Sequence, residues 1–222
     1  MRIYLTLIIF ILFSRNAFGQ TPIDSGFTNK AEAKNLMVNG LREGKWVEYR
    51  GDYVDSIDTL TAYWLTVYKK GKYYGINRGY YKSGKMHIEA SVKNDIADGT
   101  WKEYYENGKL KQEILFWHGL VHGIWKQYYE NGNIEEESAY LSDSIDGKEN
   151  GINKEYYENG TLKLETSIKN GELNGLEKGY YRDGKIMYQT PFKDGNPGTR
   201  IWFDPEGNMT NKLFDEYGNE SK

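Results

Sequence analysis

Five pairs of adjacent tyrosines recur at the same distance before a Ser-Gly, Asn-Gly or Asp-Gly dipeptide: Tyr80-Tyr81, Tyr104-Tyr105, Tyr128-Tyr129, Tyr156-Tyr157 and Tyr180-Tyr181. Trp202-Phe203 takes the same role in the last unit, one residue earlier. Neighbours on an extended strand point to opposite faces, so each pair sets one ring on each side of a sheet. Facing aromatic rings stabilise a sheet by about 0.2–1 kcal/mol per pair. Left exposed, the same rings form a track for a glycan or an extended peptide. Trp46, Trp101 and Trp125 fall on the face of the second tyrosine of their units. With Tyr81, Tyr105, Tyr129, Tyr157 and Tyr181 they make up the candidate binding surface.

Two charged ladders follow the same period. Arg78, Lys102, Lys126, Lys154 and Lys178 form the basic one; Glu89, Glu113, Glu137 and Glu165, with Gln189 last, form the acidic one. Exposed pairs of this kind contribute little, and their faces depend on hairpin register. The three histidines are His87, in mid-strand, and His118 and His122, which flank a glycine loop. A His-x-x-x-His pair suits a metal on a helix, but Gly119 and Gly123 oppose a helix there, and spacing suggests no third ligand. Asp143 and Asp146 lack the full ligand set of a calcium loop. The chain has no cysteine nucleophile, and its serines sit in no nucleophile elbow. Phosphate loops and dinucleotide fingerprints are absent as well. The expectation is no catalytic residue, no metal and no cofactor.

The elements that must carry these residues repeat. Gly84, Gly108 and Gly132 stand 24 residues apart; Gly160 follows after 28, Gly184 after 24 and Gly207 after 23. Nine residues before each lies another glycine: Gly75, Gly99, Gly123, Gly151, Gly175 and Gly198. The tyrosine pair lies on a first strand between the two. Ser83-Gly84, Asn107-Gly108, Asn131-Gly132, Asn159-Gly160 and Asp183-Gly184 then signal a tight turn, read as one with positive φ at both central positions. On the second strand, Met86, Leu110, Ile134, Leu162 and Ile186 stand two past the turn glycine; Val92, Phe116, Tyr140, Ile168 and Phe192 stand eight past it. Even offsets place both sets on one face. Gly-x-x-x-Gly segments join the units. An early, irregular unit starts at Gly40, with a longer excursion from Gly51 to Thr59, and Ser142 to Asp146 hold a four-residue insertion. Asn208 to Tyr217 are expected to cap the C-terminal end.

Composition agrees with many short strands: Gly 25, Tyr 20, Trp 6 and only 4 Pro. Met1-Arg2, the apolar run Ile3 to Phe13 and the small residues of Ala17-Phe18-Gly19 have the layout of a secretory signal peptide. The division expected is 1–19 signal peptide, 20–39 polar leader, 40–217 repeat domain and 218–222 tail. Cleavage near Gly19 predicts an exported protein: periplasmic, cell-surface or secreted. No later stretch is apolar enough for stable membrane insertion as a helix. Loss of Arg2 and Arg15 takes the net charge from -3 to -5, which disfavours nucleic acid.

The run Gly99-Thr100-Trp101-Lys102-Glu103-Tyr104-Tyr105-Glu106-Asn107-Gly108-Lys109-Leu110 resembles the MORN repeat variant. Gly119-Leu120-Val121-His122-Gly123 resembles the Gly-x-x-His-Gly core of ordinary MORN repeats. The resemblance extends from about Gly40 to Gly207. It implies an all-β fold, an elongated antiparallel sheet of successive hairpins arranged as a MORN-like solenoid. It also implies a non-enzymatic scaffold for protein or lipid contact, and many bacterial members carry the label of YwqK-type antitoxin. The functional expectation is a module that binds a protein or peptide. The alternatives are a glycan-binding surface protein and an antitoxin-type immunity protein. Open sheet edges add self-association to the expected contacts.

Overall fold

The computed structural model describes residues 26–49, 61–140 and 150–220. The signal-peptide segment, the excursion after Gly51 and the insertion carrying Asp143 and Asp146 lie outside them. Eighteen strands occur among the described residues: β1 Leu36–Val38, β2 Leu41–Tyr49, β3 Thr61–Lys69, β4 Lys72–Tyr81, β5 Met86–Lys93, β6 Ile96–Tyr104, β7 Leu110–Trp117, β8 Leu120–Val121, β9 Gly123–Tyr128, β10 Ile134–Tyr140, β11 Gly151–Tyr156, β12 Leu162–Lys169, β13 Glu172–Leu173, β14 Gly175–Tyr180, β15 Ile186–Lys193, β16 Asn196–Pro197, β17 Ile201–Phe203 and β18 Met209–Thr210. They form one open antiparallel sheet in which each long strand pairs with the long strands next to it in the chain, the two-residue strands β8, β13 and β16 pairing only with the strand before them. The expected all-β hairpin repeat is therefore the observed fold. Because strand pairing joins only adjacent hairpins, stability is close to a sum over adjacent hairpins.

The turns differ from the expectation at both ends of each hairpin. At Gly108 the amide donates to the Tyr105 carbonyl at 2.8 Å and Tyr105 N donates to the Lys109 carbonyl at 2.8 Å. Gly108 is left-handed (φ 90), whereas Asn107 is not among the residues with positive φ. This is a type I turn closed by a left-handed glycine, a three-residue loop. The Asn107 side chain instead accepts from Lys109 N at 2.9 Å. The two-residue loop with both residues left-handed occurs at the other end of the repeat. Lys70-Gly71, Asn94-Asp95, His118-Gly119, Asn170-Gly171 and Asp194-Gly195 all have positive φ. They lie between the paired residues Lys69–Lys72, Lys93–Ile96, Trp117–Leu120, Lys169–Glu172 and Lys193–Asn196.

A bulge corrects the face assignment of the second strand. Tyr80 pairs with Met86, but Gly79 pairs with Ile88, so His87 is extra. Lys111, Glu135, Lys163 and Met187 are the extra residues of the next four hairpins. One inserted residue reverses the alternation beyond it. The residues two past the turn glycine therefore lie beside the first tyrosines. Those eight past it lie on the opposite face, each over a strand-opening glycine: Val92 over Gly75, Phe116 over Gly99, Tyr140 over Gly123, Ile168 over Gly151 and Phe192 over Gly175.

The densest packing sits at the N-terminal end. Buried Phe27 joins Leu65, Val67 and Tyr80, with Val47, Tyr63, Met86 and Ala33 around them. The polar leader, as far as it is described, is part of this arrangement. Lys30–Glu32 form a 3-10 turn capped by Asn29, β1 pairs with β2, and Arg78 Nη1 donates to the Phe27 carbonyl. Removing a buried phenyl ring costs about 3 kcal/mol or more. Phe27→Ala should therefore lower the unfolding free energy by about 3 kcal/mol in urea titrations, while an unchanged midpoint would show the leader to be dispensable.

Candidate functional site

The second tyrosines form a ladder of hydrogen bonds between hairpins. The hydroxyl of Tyr81 donates to the Tyr104 carbonyl at 2.6 Å, Tyr105 to Tyr128 at 2.6 Å, Tyr129 to Tyr156 at 2.7 Å, Tyr157 to Tyr180 at 2.7 Å and Tyr181 to Phe203 at 2.7 Å. Tyr81, Tyr157 and Tyr181 are buried; Tyr105 and Tyr129 are half-buried. In the last unit Phe203, not Trp202, holds the place of the first tyrosine and Asp204 that of the second. Asp204 N bonds the Asn208 carbonyl and Gly207 N bonds the Asp204 carbonyl, as in the other turns. Trp202 lies instead on the tryptophan face beside Tyr188, ring centroids 5.2 Å apart.

The three candidate tryptophans are half-buried. Trp46 faces Thr66, its Nε1 donating to the Glu43 carbonyl at 3.1 Å. Trp101 lies between Ala90 and Ile114. Trp125 faces Ser138 and donates to Gln112 Oε1 at 3.1 Å. Ladder and tryptophans share one face, as the alternation requires, and the ladder hydroxyls and the Trp46 and Trp125 indole nitrogens are engaged within the sheet.

The two charged ladders merge into one row on the opposite face. Cross-strand register runs Arg78, Glu89, Lys102, Glu113, Lys126, Glu137, Lys154, Glu165, Lys178, with opposite signs adjacent throughout. Arg78–Glu89 approach to 2.8 Å and Lys178–Glu165 to 2.9 Å. The first tyrosines join the row from the side. Tyr128 donates to Glu113 at 3.0 Å and Tyr156 to Glu137 at 2.9 Å. Burial and then these carboxylates push both phenols up to about 12.

Two residues along from the charged row, on the same face, runs an apolar stripe. Leu115 (41% exposed), Ile124 (53%) and Ile152 (51%) lie in it, with Leu176 beyond. Trp117, 54% exposed, extends it toward the loops, with the His118 and His122 rings at 5.3 and 5.7 Å. Ile124, Ile152 and Leu176 each directly follow a strand-opening glycine, a regular position that the alternation of the second strand does not bring out.

The N-terminal end holds two buried polar networks: Glu48 accepts from Arg42, Thr66 and Tyr68, and a second runs through His87. Thr61 Oγ1 lies 2.6 Å from His87 Nδ1, and His87 Nε2 lies 3.3 Å from Glu103 Oε1. The His87 ring packs on Tyr81 at 4.2 Å. A hydroxyl, an imidazole and a carboxylate in line suggest acyl-transfer chemistry, but all three are buried and this second network has a structural task. It closes the first rung of the ladder. The sequence signal was His87 at the bulge position. Among the described residues no group of three or more His, Cys, Asp or Glu could hold a metal, and no helix is long and apolar enough to cross a membrane. A cleft of about 390 Å³ near the last strands is lined by Arg200, Ile201, Trp202, Met209, Thr210 and Asn211. Its guanidinium is already bonded to Glu177 and Thr190.

Two measurements test this assignment. A hydroxyl bonded to a main-chain carbonyl is worth about 1 kcal/mol, so Tyr105→Phe and Tyr129→Phe should each lower stability by that amount. Burial alone would raise the Glu103 carboxyl, but bonds from His87, Lys111 and Gln112 outweigh it and hold it at about 2, against 4.5 unperturbed. The depressed value means that Glu103 stabilises the fold above its unfolded pKa, and that this contribution is lost as the pH falls through the interval down to about 2. Glu103→Gln should flatten the acid limb of the stability profile; an unaltered limb would refute the assignment.

The chain matches the MORN repeat variant at residues 97–118, 121–141, 149–170 and 173–194. The first window runs from one two-residue loop to the next and so encloses a whole hairpin. No curated protein matches the chain.

Proposed function

We propose that this chain, a MORN-repeat-variant protein over residues 97–194, is an exported, non-enzymatic module that binds a protein or peptide on its charged face. Repeats of this family are a module often involved in binding and are generally non-catalytic. The observation that carries the reading is the apolar stripe of Leu115, Trp117, Ile124 and Ile152 beside the alternating charged row. Contiguous apolar surface of this kind marks contact sites. The charges next to it, alternating in sign and in part paired, select register more than they add affinity. Export rests on the layout of residues 1–19.

A glycan is the second reading, favoured by Trp101, Ile114 and Trp125 in one row of the tryptophan face. An antitoxin role rests on the family label alone. The experiment is quantitative capture from the native envelope with the mature chain as bait. Ile124→Glu with Ile152→Glu should remove the specific partner at least tenfold with an unchanged melting temperature, since a buried hot-spot contact is worth about 1.4 kcal/mol or more. Trp101→Ala with Trp125→Ala should leave capture intact. The reverse pattern would move the site to the tryptophan face.

A further inference from the structure

Asn-Gly dipeptides occur at Asn39, Asn107, Asn131, Asn150, Asn159, Asn170 and Asn174. Such a pair can react with itself. The glycine nitrogen attacks Cγ of the asparagine, ammonia leaves and a five-membered imide forms. Water then opens either carbonyl to give aspartate or isoaspartate. Water is the only co-reactant, and no electrons are exchanged. The step needs a carboxamide free to rotate and a glycine amide free to approach it.

In this fold the dipeptides separate into two sets. Asn107 Oδ1 accepts from Lys109 N, Asn131 Oδ1 from Asn133 N and Asn159 Oδ1 from Thr161 N. The following glycine amides, Gly108, Gly132 and Gly160, donate to Tyr105, Tyr129 and Tyr157 carbonyls. Nucleophile and electrophile are therefore both held. Asn150 Oδ1 accepts from Asn170 N, and Asn174 Nδ2 donates to Asp194. Asn39 and Asn170 are different. Both are exposed, both occupy the first position of a left-handed two-residue loop, and the carboxamide of neither is held by a described residue.

We propose that Asn39 and Asn170 are sites of spontaneous deamidation in the folded protein, and that hydrogen bonds of the fold shield the other five. Each event adds a negative charge. Isoaspartate also adds a main-chain carbon to a loop that only two left-handed residues close. At Asn170 this loosens the Lys169–Glu172 pair, and at Asn39 it loosens the Val38–Leu41 pair that holds β1 at the sheet edge. The proposal is independent of the binding reading.

The test is peptide mapping by mass spectrometry on the full chain aged at mildly alkaline pH, folded and in urea. Folded, Asn39 and Asn170 should exchange amide for hydroxyl roughly tenfold faster than the other five, because a reaction that must first break one or two hydrogen bonds is slowed to about that extent. In urea the seven rates should converge. Equal rates in the folded chain, or a lead by Asn107, Asn131 or Asn159, would overturn the proposal.

Discussion

A phenol that reaches the main chain of the next hairpin is the contact on which this sheet depends. Strand pairing alone joins neighbours but leaves the turns of a single-layer sheet without lateral support. The second tyrosine supplies that support. Its ring covers the turn, and its hydroxyl finds the one acceptor that every hairpin offers, whatever its side chains. Donor and acceptor are 23 residues apart at Tyr81, Tyr105 and Tyr157, 27 at Tyr129 and 22 at Tyr181. The bond length scarcely changes across that range. The extra residues of the long unit lie at the far end of the strands, so they leave the rung untouched. Insertions are tolerated at one edge of this sheet because the other edge keeps the spacing.

Each face then does different work. One carries the tyrosine ladder at the turn end of the hairpins, with the half-buried tryptophans between it and the strand-opening glycines. On the other, alternating charges neutralise one another in a row and an apolar stripe remains exposed beside them. Among the described residues the buried apolar cluster is Phe27, Leu65, Val67 and Tyr80, while the other buried side chains, such as Thr66, His87, Ser138, Tyr157 and Tyr181, are spread along the sheet. The structure is thus held by many small local terms, and the N-terminal cluster anchors an array that lacks a conventional core.

Much of this was legible in the residues. The glycine period located the hairpins whose turns end at Gly84, Gly108, Gly132, Gly160, Gly184 and Gly207, though not the last turn at Gly218, and the adjacent tyrosines placed one ring on each face. Three things were not legible, each for a physical reason. Alternation could not reveal that His87, Lys111, Glu135, Lys163 and Met187 are bulged, because a bulge leaves the pattern of residue types intact while reversing which face they occupy. Asn-Gly suits either kind of turn, and only the hydrogen bonds of Gly108 and its counterparts distinguish them. The charge ladders looked like two because register is a property of paired strands; pairing made them one. Phe27, an isolated aromatic in a polar segment, had no periodic partner to mark it as core.

The ladder also has a direction. Each hydroxyl donates toward the C-terminus, so a hairpin completes its own support only when the following one has been made. Loss of a C-terminal unit therefore costs the unit before it a partner, whereas loss of an N-terminal unit leaves the next rung intact, and the series ends where Asp204 stands in place of a tyrosine.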